Sequence, residues 1–196
     1  MIDPERDALV IVDVQNDFCL GGSLAVSADD QVVPVLNQYA RRFQDAGAPI
    51  FASRDWHPEK TKHFQSGGGA WPPHCVQGTR GAEFHRDLAL PNETVIVSKG
   101  MDPGEEDAYS AFQAQDPNEM DFAVALGERG VQRLFVGGLA TDYCVKATVL
   151  DTLREGYEVV VLEDAIRAVN VNPGDGDRAL AEMKAAGATF VTLRDV

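Results

Sequence analysis

Cysteine is scarce in this 196-residue chain. Its three copies, Cys19, Cys75 and Cys144, are an odd number with no framework spacing. That excludes a disulfide-stapled secreted scaffold and fits free thiols in a reducing cytoplasm. No Cys-x-x-Cys pair is present, which argues against a thiol redox module. Positive charge is also short, with 17 Lys and Arg against 31 Asp and Glu, a net charge of −14. Such a surface repels nucleic acid and anionic membranes, although it says little about a small buried pocket. Apolar runs never exceed strand length, so none spans a bilayer. The first residues, "MIDPERDALVIVDV", place acids before the apolar run and offer no small-residue cleavage site, unlike a signal peptide. Without internal repeats or a low-complexity linker, a single domain over 1–196 is the natural expectation.

Short apolar runs recur at 8–14, 49–53, 94–98, 133–138, 158–163 and 189–193. Their continuity, in place of alternation, suits parallel strands covered on both faces. Helical spacing appears between several of them. Val32, Leu36, Tyr39 and Phe43 form one stripe that stops before Gly47. A second helix fits 141–155, with Val145, Val149 and Leu153 on one face. A third fits 175–186, with Asp175 or Asp177 as cap and Leu180 and Met183 inward. The fold class expected is α/β: an open, mostly parallel six-stranded sheet flanked by helices on both faces.

The segment from about 56 to 92 breaks this rhythm. It is rich in Pro, Gly and aromatics and holds all four histidines, 57, 63, 74 and 85. A loop of that length inside a compact domain is usually functional or disordered, and its two tryptophans and Pro-Pro suggest an ordered binding segment.

Open parallel sheets bind ligands beyond the carboxyl ends of their strands. The strand exits carry Asp13, Asp55, Lys99 and the stretch Ala140-Thr141-Asp142-Tyr143-Cys144. Taken alone, Cys144 is most simply a small buried apolar residue. With an acid and a lysine at neighbouring exits, it reads better as a nucleophile. It is expected in the first turn of a helix capped by Thr141 or Asp142, where the helix dipole and Lys99 lower its pKa. Asp13 could serve as general base, and amides around Ala140 and Cys144 could form an oxyanion hole. Period-two geometry puts Asp55 and His57 of "DWH" on one side, and His63 and His74 can fold back toward them. One carboxylate and three imidazoles suit zinc, iron or manganese. Cys75 is an alternative soft ligand to His74, while Cys19 and otherwise Cys75 read as structural. His85 lacks a partner in sequence, and "MDPGEED" (101–107) reads as a solvated loop. Phe18, Trp71 and Tyr109 are candidate pocket walls.

The blocks "VIVDVQNDFCLGGSLAV", "RDWHPEKTKHF", "WPPHCVQGTRGAEFH", "KG" with "DAYSAF", and "GLATDYCVKATVLD" run nearly end to end. In them the chain resembles bacterial nicotinamidases (pyrazinamidases) of the isochorismatase-like cysteine hydrolase superfamily. The resemblance implies a catalytic triad of Asp13, Lys99 and Cys144. It implies one divalent metal ion per chain, zinc ahead of iron or manganese, on Asp55, His57, His63 and His74. It also implies a substrate ring held between Phe18, Trp71 and Tyr109, and a cis peptide at Leu139-Ala140 beside the substrate. The activity implied is hydrolysis of nicotinamide, and of pyrazinamide, through a cysteine thioester in cytoplasmic NAD salvage. Another amidohydrolase acting on a ureido or carbamoyl substrate is the alternative. No nucleic acid or membrane partner is implied, and a homo-oligomer is left open. The "SGGGA" stretch (66–70) is the one departure in loop length.

Overall fold

The computed structural model describes residues 1–28 and 31–196. Six parallel strands form one sheet: β1 (Asp7–Val12), β2 (Ile50–Asp55), β3 (Val95–Lys99), β4 (Arg133–Leu139), β5 (Glu158–Arg167) and β6 (Thr189–Val191). Their spatial order is β3-β2-β1-β4-β5-β6. All six strands expected from apolar runs are therefore present.

The sheet is covered on both faces, which is why its strands read as unbroken apolar runs. Leu9 and Ile11 of β1 face a core shared with Leu36, Tyr39 and Phe43 of helix α1 (Val32–Ala46). Ala8, Val10 and Val12 face the opposite core. There they meet Phe122 and Leu126 of α2 (Phe122–Glu128), Val149 of α3 (Lys146–Arg154) and Met183 of α4 (Asp175–Ala186).

Helix α1 ends as its stripe suggests: Gly47 takes a left-handed φ of 74° and its N–H returns to the carbonyls of Phe43 and Gln44. Helix α4 occupies 175–186, but its cap differs from expectation. Gly174 is the N-cap, and the Asp175 carboxylate accepts the Asn172 N–H at 2.7 Å, serving the turn before the helix. The helix read over 141–155 begins instead as a π-helical turn, Thr141–Val145, and becomes regular at Lys146. Helix α2 was not legible as a pattern, since its seven residues give too few turns for a period to show.

The chain order turns outward in opposite directions from β1 and β4, so the crevice beyond their carboxyl ends is the switch point of the sheet. Two contacts set the β1–β4 spacing. At the amino end, Arg133 grips the buried Asp7 carboxylate with Nε at 2.8 Å and Nη2 at 2.6 Å. At the carboxyl end, Gly138 has φ 126°, and a Cβ there would run into the Val12 carbonyl. The β4–β5 register also shifts between Val136 and Gly138. Among the described residues no helix is long and apolar enough to cross a membrane.

Gly138→Ala combines an unfavourable φ with a backbone clash, so it should cost about 3 kcal/mol or more. Urea unfolding measures this as a lower midpoint with unchanged slope; a midpoint equal to wild type would show that the strands have room to part.

Candidate active site

Three consecutive exits on one rim supply the charged centre. The β2–β3 register pairs Asp55 with Lys99, and Asp13 follows β1 with its N–H bonded to the Ser53 carbonyl at 3.2 Å. Lys99 is only 1% exposed. Its Nζ lies 2.9 Å from Asp13 Oδ2 and also pairs with Asp55 Oδ1. It donates to the Ala108 carbonyl at 3.1 Å and sits 3.5 Å from Cys144 Sγ. Ser53 Oγ donates to Asp13 Oδ1 at 2.7 Å. A carboxylate oxygen of Asp13, one of Asp55 and the Cys144 sulfur all lie within 4.8 Å of one another. The acid, lysine and cysteine expected at the exits do converge.

Their electrostatics differ from the expectation for the thiol. Burial pushes the Cys144 thiol well above its ordinary value; Lys99 opposes this, while Asp13 and Asp55 reinforce it. Thr141 and Asp142 do not cap the turn, whose N-cap is Ala140 without a side-chain bond. The Asp142 carboxylate instead accepts the N–H groups of Val169 (2.9 Å) and Asn170 (2.8 Å). The resting sulfur therefore keeps its proton until a base removes it. Asp13 is shifted upward by burial, with the Lys99 ammonium pulling it back and the Asp55 charge adding to the rise. For Asp55, burial is outweighed by Lys99 and His57, and its pKa falls. Lys99 loses to burial but gains more from Asp13, Asp55 and Cys144, and stays charged.

The three expected imidazoles meet on the other side of Asp55. Ring centroids are 4.5 Å apart for His57 and His63, 5.0 Å for His57 and His74, and 5.3 Å for His63 and His74. Each Nδ1 lies on a backbone carbonyl: Gly100 at 3.1 Å from His57, Glu106 at 2.6 Å from His63, and Pro72 at 2.9 Å from His74. A carbonyl only accepts, so each Nδ1 bears a proton, and in the neutral ring it is Nε2 that keeps the lone pair. Burial lowers the pKa of His63 and takes that of His74 to about 4, so both are neutral at neutral pH. Asp55 Oδ2 stands 3.7 Å from His57 Nε2 and 3.8 Å from His74 Nε2. The buried His57 Nε2 has no hydrogen-bond partner. A buried lone pair left idle beside two others and a carboxylate fits a divalent metal. Cys75 is not part of this group.

Between the two groups opens a narrow pocket of about 40 Å³. Phe18, Leu24, Trp71, Tyr109, Tyr143, Ala140 and Val169 wall it, with Asp55, His63, His74 and Cys144 at its base. Trp71 Nε1 donates to the Tyr109 hydroxyl at 2.9 Å, and Phe18 packs on His74 at 5.5 Å between centroids. Phe18, Trp71 and Tyr109 thus stand where expected. The Leu139-Ala140 peptide is cis, as the resemblance implies, and Ala140 lines the pocket, while the Leu139 side chain is buried in the α1-side core. His85 lies outside, where its Nδ1 accepts the Asp87 N–H.

Several residues escaped the sequence reading. Buried Gln15 donates to the carbonyls of Asp55 (2.8 Å) and Ala82 (2.9 Å) and accepts the Asp55 N–H (2.8 Å), so it clamps the strand end that carries Asp55. Gly100, at φ 68°, leaves the space that His57 fills. Tyr143 packs edge-on against Trp71 at 4.9 Å. Gln15 and Tyr143 lie beside residues already singled out, and nothing in residue type alone marked them.

A cysteine, lysine and aspartate at a sheet switch point, next to a metal-ready histidine cluster, define a cysteine hydrolase type of site. The Isochorismatase domain family matches residues 7–195, and the chain belongs to that family. It is 42% identical to the nicotinamidase of Escherichia coli K12, over 96% of this chain and 95% of that protein. Among solved structures it resembles the Pyrococcus horikoshii pyrazinamidase in complex with zinc, with a TM-score of 0.88 and 45% identity. That match covers 96% of this chain and 99% of the other. It also resembles L. infantum PnC1 in complex with nicotinate, at TM-score 0.85 and 34% identity, covering 97% and 94%.

Loss of one imidazole should be readable in the metal itself. Even an outer hydrogen-bond partner of a ligand is commonly worth 10–100-fold in affinity, so His57→Ala should lose at least about tenfold. Elemental analysis after dialysis against a weak chelator gives the metal-to-protein ratio; wild-type retention would exclude His57 from the ligand set.

Proposed function

We propose that the protein is a nicotinamidase, hydrolysing nicotinamide to nicotinate and ammonia, with pyrazinamide as a second substrate, in NAD salvage. The observation that carries this reading is the sharing of Asp55. One of its oxygens faces the Lys99 ammonium beside Cys144, and the other faces the imidazoles, so both groups open into one aromatic pocket. A flat heteroaromatic ring with a carboxamide matches that layout. The ring lies between Phe18, Trp71 and Tyr109, and the carboxamide reaches Cys144. Asp55, His57, His63 and His74 hold one divalent metal, zinc ahead of iron or manganese, which when bound supplies a Lewis acid for the ring nitrogen.

The chain's own groups carry the amide chemistry. Asp13 takes the Cys144 proton, a transfer helped by a base raised toward the working pH. The sulfur attacks the amide carbon, and the N–H groups of Ala140 and Cys144 receive the charge that grows on oxygen. Asp13 returns the proton to nitrogen, ammonia departs, and a thioester remains on Cys144. A water that gives its proton to Asp13 then attacks the thioester carbon; the C–S bond breaks, nicotinate is released, and Asp13 passes the proton to the departing Cys144 sulfur, restoring the thiol. Lys99 stays charged throughout and holds Asp13 in line. Neither Cys75 nor Cys144 is in a disulfide, in keeping with a cytoplasmic enzyme.

Cys144→Ala should reduce ammonia release from nicotinamide by about 10³-fold or more, because the covalent route is lost. Near wild-type turnover would rule out the thioester. In a substrate panel scored by ammonia, faster release from ureido or carbamoyl compounds than from nicotinamide would replace the proposed substrate while keeping the same three groups.

A further inference from the structure

The Asp17 carboxylate touches none of the reacting groups, yet three walls of the site are anchored on it. Its Oδ2 accepts the Cys75 N–H at 2.7 Å, and its Oδ1 accepts the Ser23 N–H at 3.3 Å. Its own carbonyl accepts the N–H of Leu24, a pocket residue, at 2.9 Å, and Phe18 follows it in the chain. Gly81 lies so close against the carboxylate that a Cβ would overlap it.

Cys75 is the point of leverage. It is a non-glycine residue at φ 45°, a left-handed conformation that side chains disfavour. Its neighbour is His74, and its carbonyl accepts the His57 N–H at 3.0 Å. One peptide stretch thus sets the distance between two imidazoles, and its N–H ends on Asp17. The Gln77 N–H to His57 carbonyl bond at 2.8 Å continues the pairing but acts on the far side of Val76. Without Asp17 the Cys75 N–H loses its acceptor, and the disfavoured φ is held only by the bonds on the far side of the residue, so it relaxes toward a commoner value. His74 then moves relative to His57.

We infer that Asp17 is a positioning residue for the metal site: by holding Cys75 left-handed it fixes the spacing of the His57 and His74 nitrogens. The inference rests on the reading of these histidines as metal ligands, not on the identity of the substrate.

The test is zinc affinity of the full chain, measured by competition with a chromogenic chelator, alongside thermal unfolding of the zinc-free protein. Asp17→Ala should bind zinc about 10–100-fold more weakly, the range found for lost outer-shell partners. Asp17→Asn keeps the size and one acceptor oxygen, so it should fall between Asp17→Ala and wild type; it also serves if the alanine variant does not fold. Asp7→Ala, which removes a buried carboxylate at the opposite end of the sheet, should lower stability and leave zinc affinity unchanged. Wild-type affinity in both Asp17 variants, or an equal loss in Asp7→Ala, would overturn the inference. His74→Ala is the separate control: wild-type zinc binding there would mean that the metal reading, and not the role of Asp17, had failed.

Discussion

A single buried ammonium governs this structure. Lys99 sits at the end of the edge strand β3 with two carboxylates against it, in a place with almost no access to water. Two anions buried this close would repel each other and be costly to desolvate, so neither would be held ionised without a cation between them. The parallel register delivers that cation. Asp55 and Lys99 are partners across β2 and β3, and Asp13 leaves β1 one strand over. The charged centre is a consequence of sheet topology more than of any loop.

Because Asp55 has two oxygens, it joins two chemistries. The oxygen on Lys99 belongs to the acyl-transfer side, and the one facing His57 and His74 belongs to the metal side. A shift in one arrangement must be felt in the other. Gln15 has a corresponding mechanical role, since its amide binds the Asp55 backbone on one side and the 80–82 turn on the other. Long as it is, the 56–92 segment is tied down by such bonds, with the His57–Val76 and Phe64–Trp71 bridges closing it on itself.

The sheet was legible because strands buried on both faces leave unbroken apolar runs, and the charged residues at their ends then indicate the rim. Asp13, Asp55, Lys99 and Cys144 are gathered by the same rule. The histidines were legible as a set only through their placement in one odd segment; their tautomers depend on carbonyls of Gly100, Glu106 and Pro72, which no residue type reveals. The thiol was misjudged for a related reason. A helix start read from sequence suggests an exposed dipole end, whereas the actual turn is buried and bordered by two carboxylates. Leu139 divides its roles: its cis peptide, which only the resemblance indicated, borders the site, while its side chain serves the core.

The orientation of all three imidazoles by main-chain oxygens has an evolutionary consequence. A peptide oxygen is present whatever amino acid carries it, so changes at Glu106 or Pro72 that keep the backbone path leave ring protonation untouched. Only at Gly100 does identity matter, because His57 fills the volume a side chain would need. Drift in these loops is thereby decoupled from control of the donor atoms, and the surroundings of the pocket are free to diversify while its ligand chemistry stays the same.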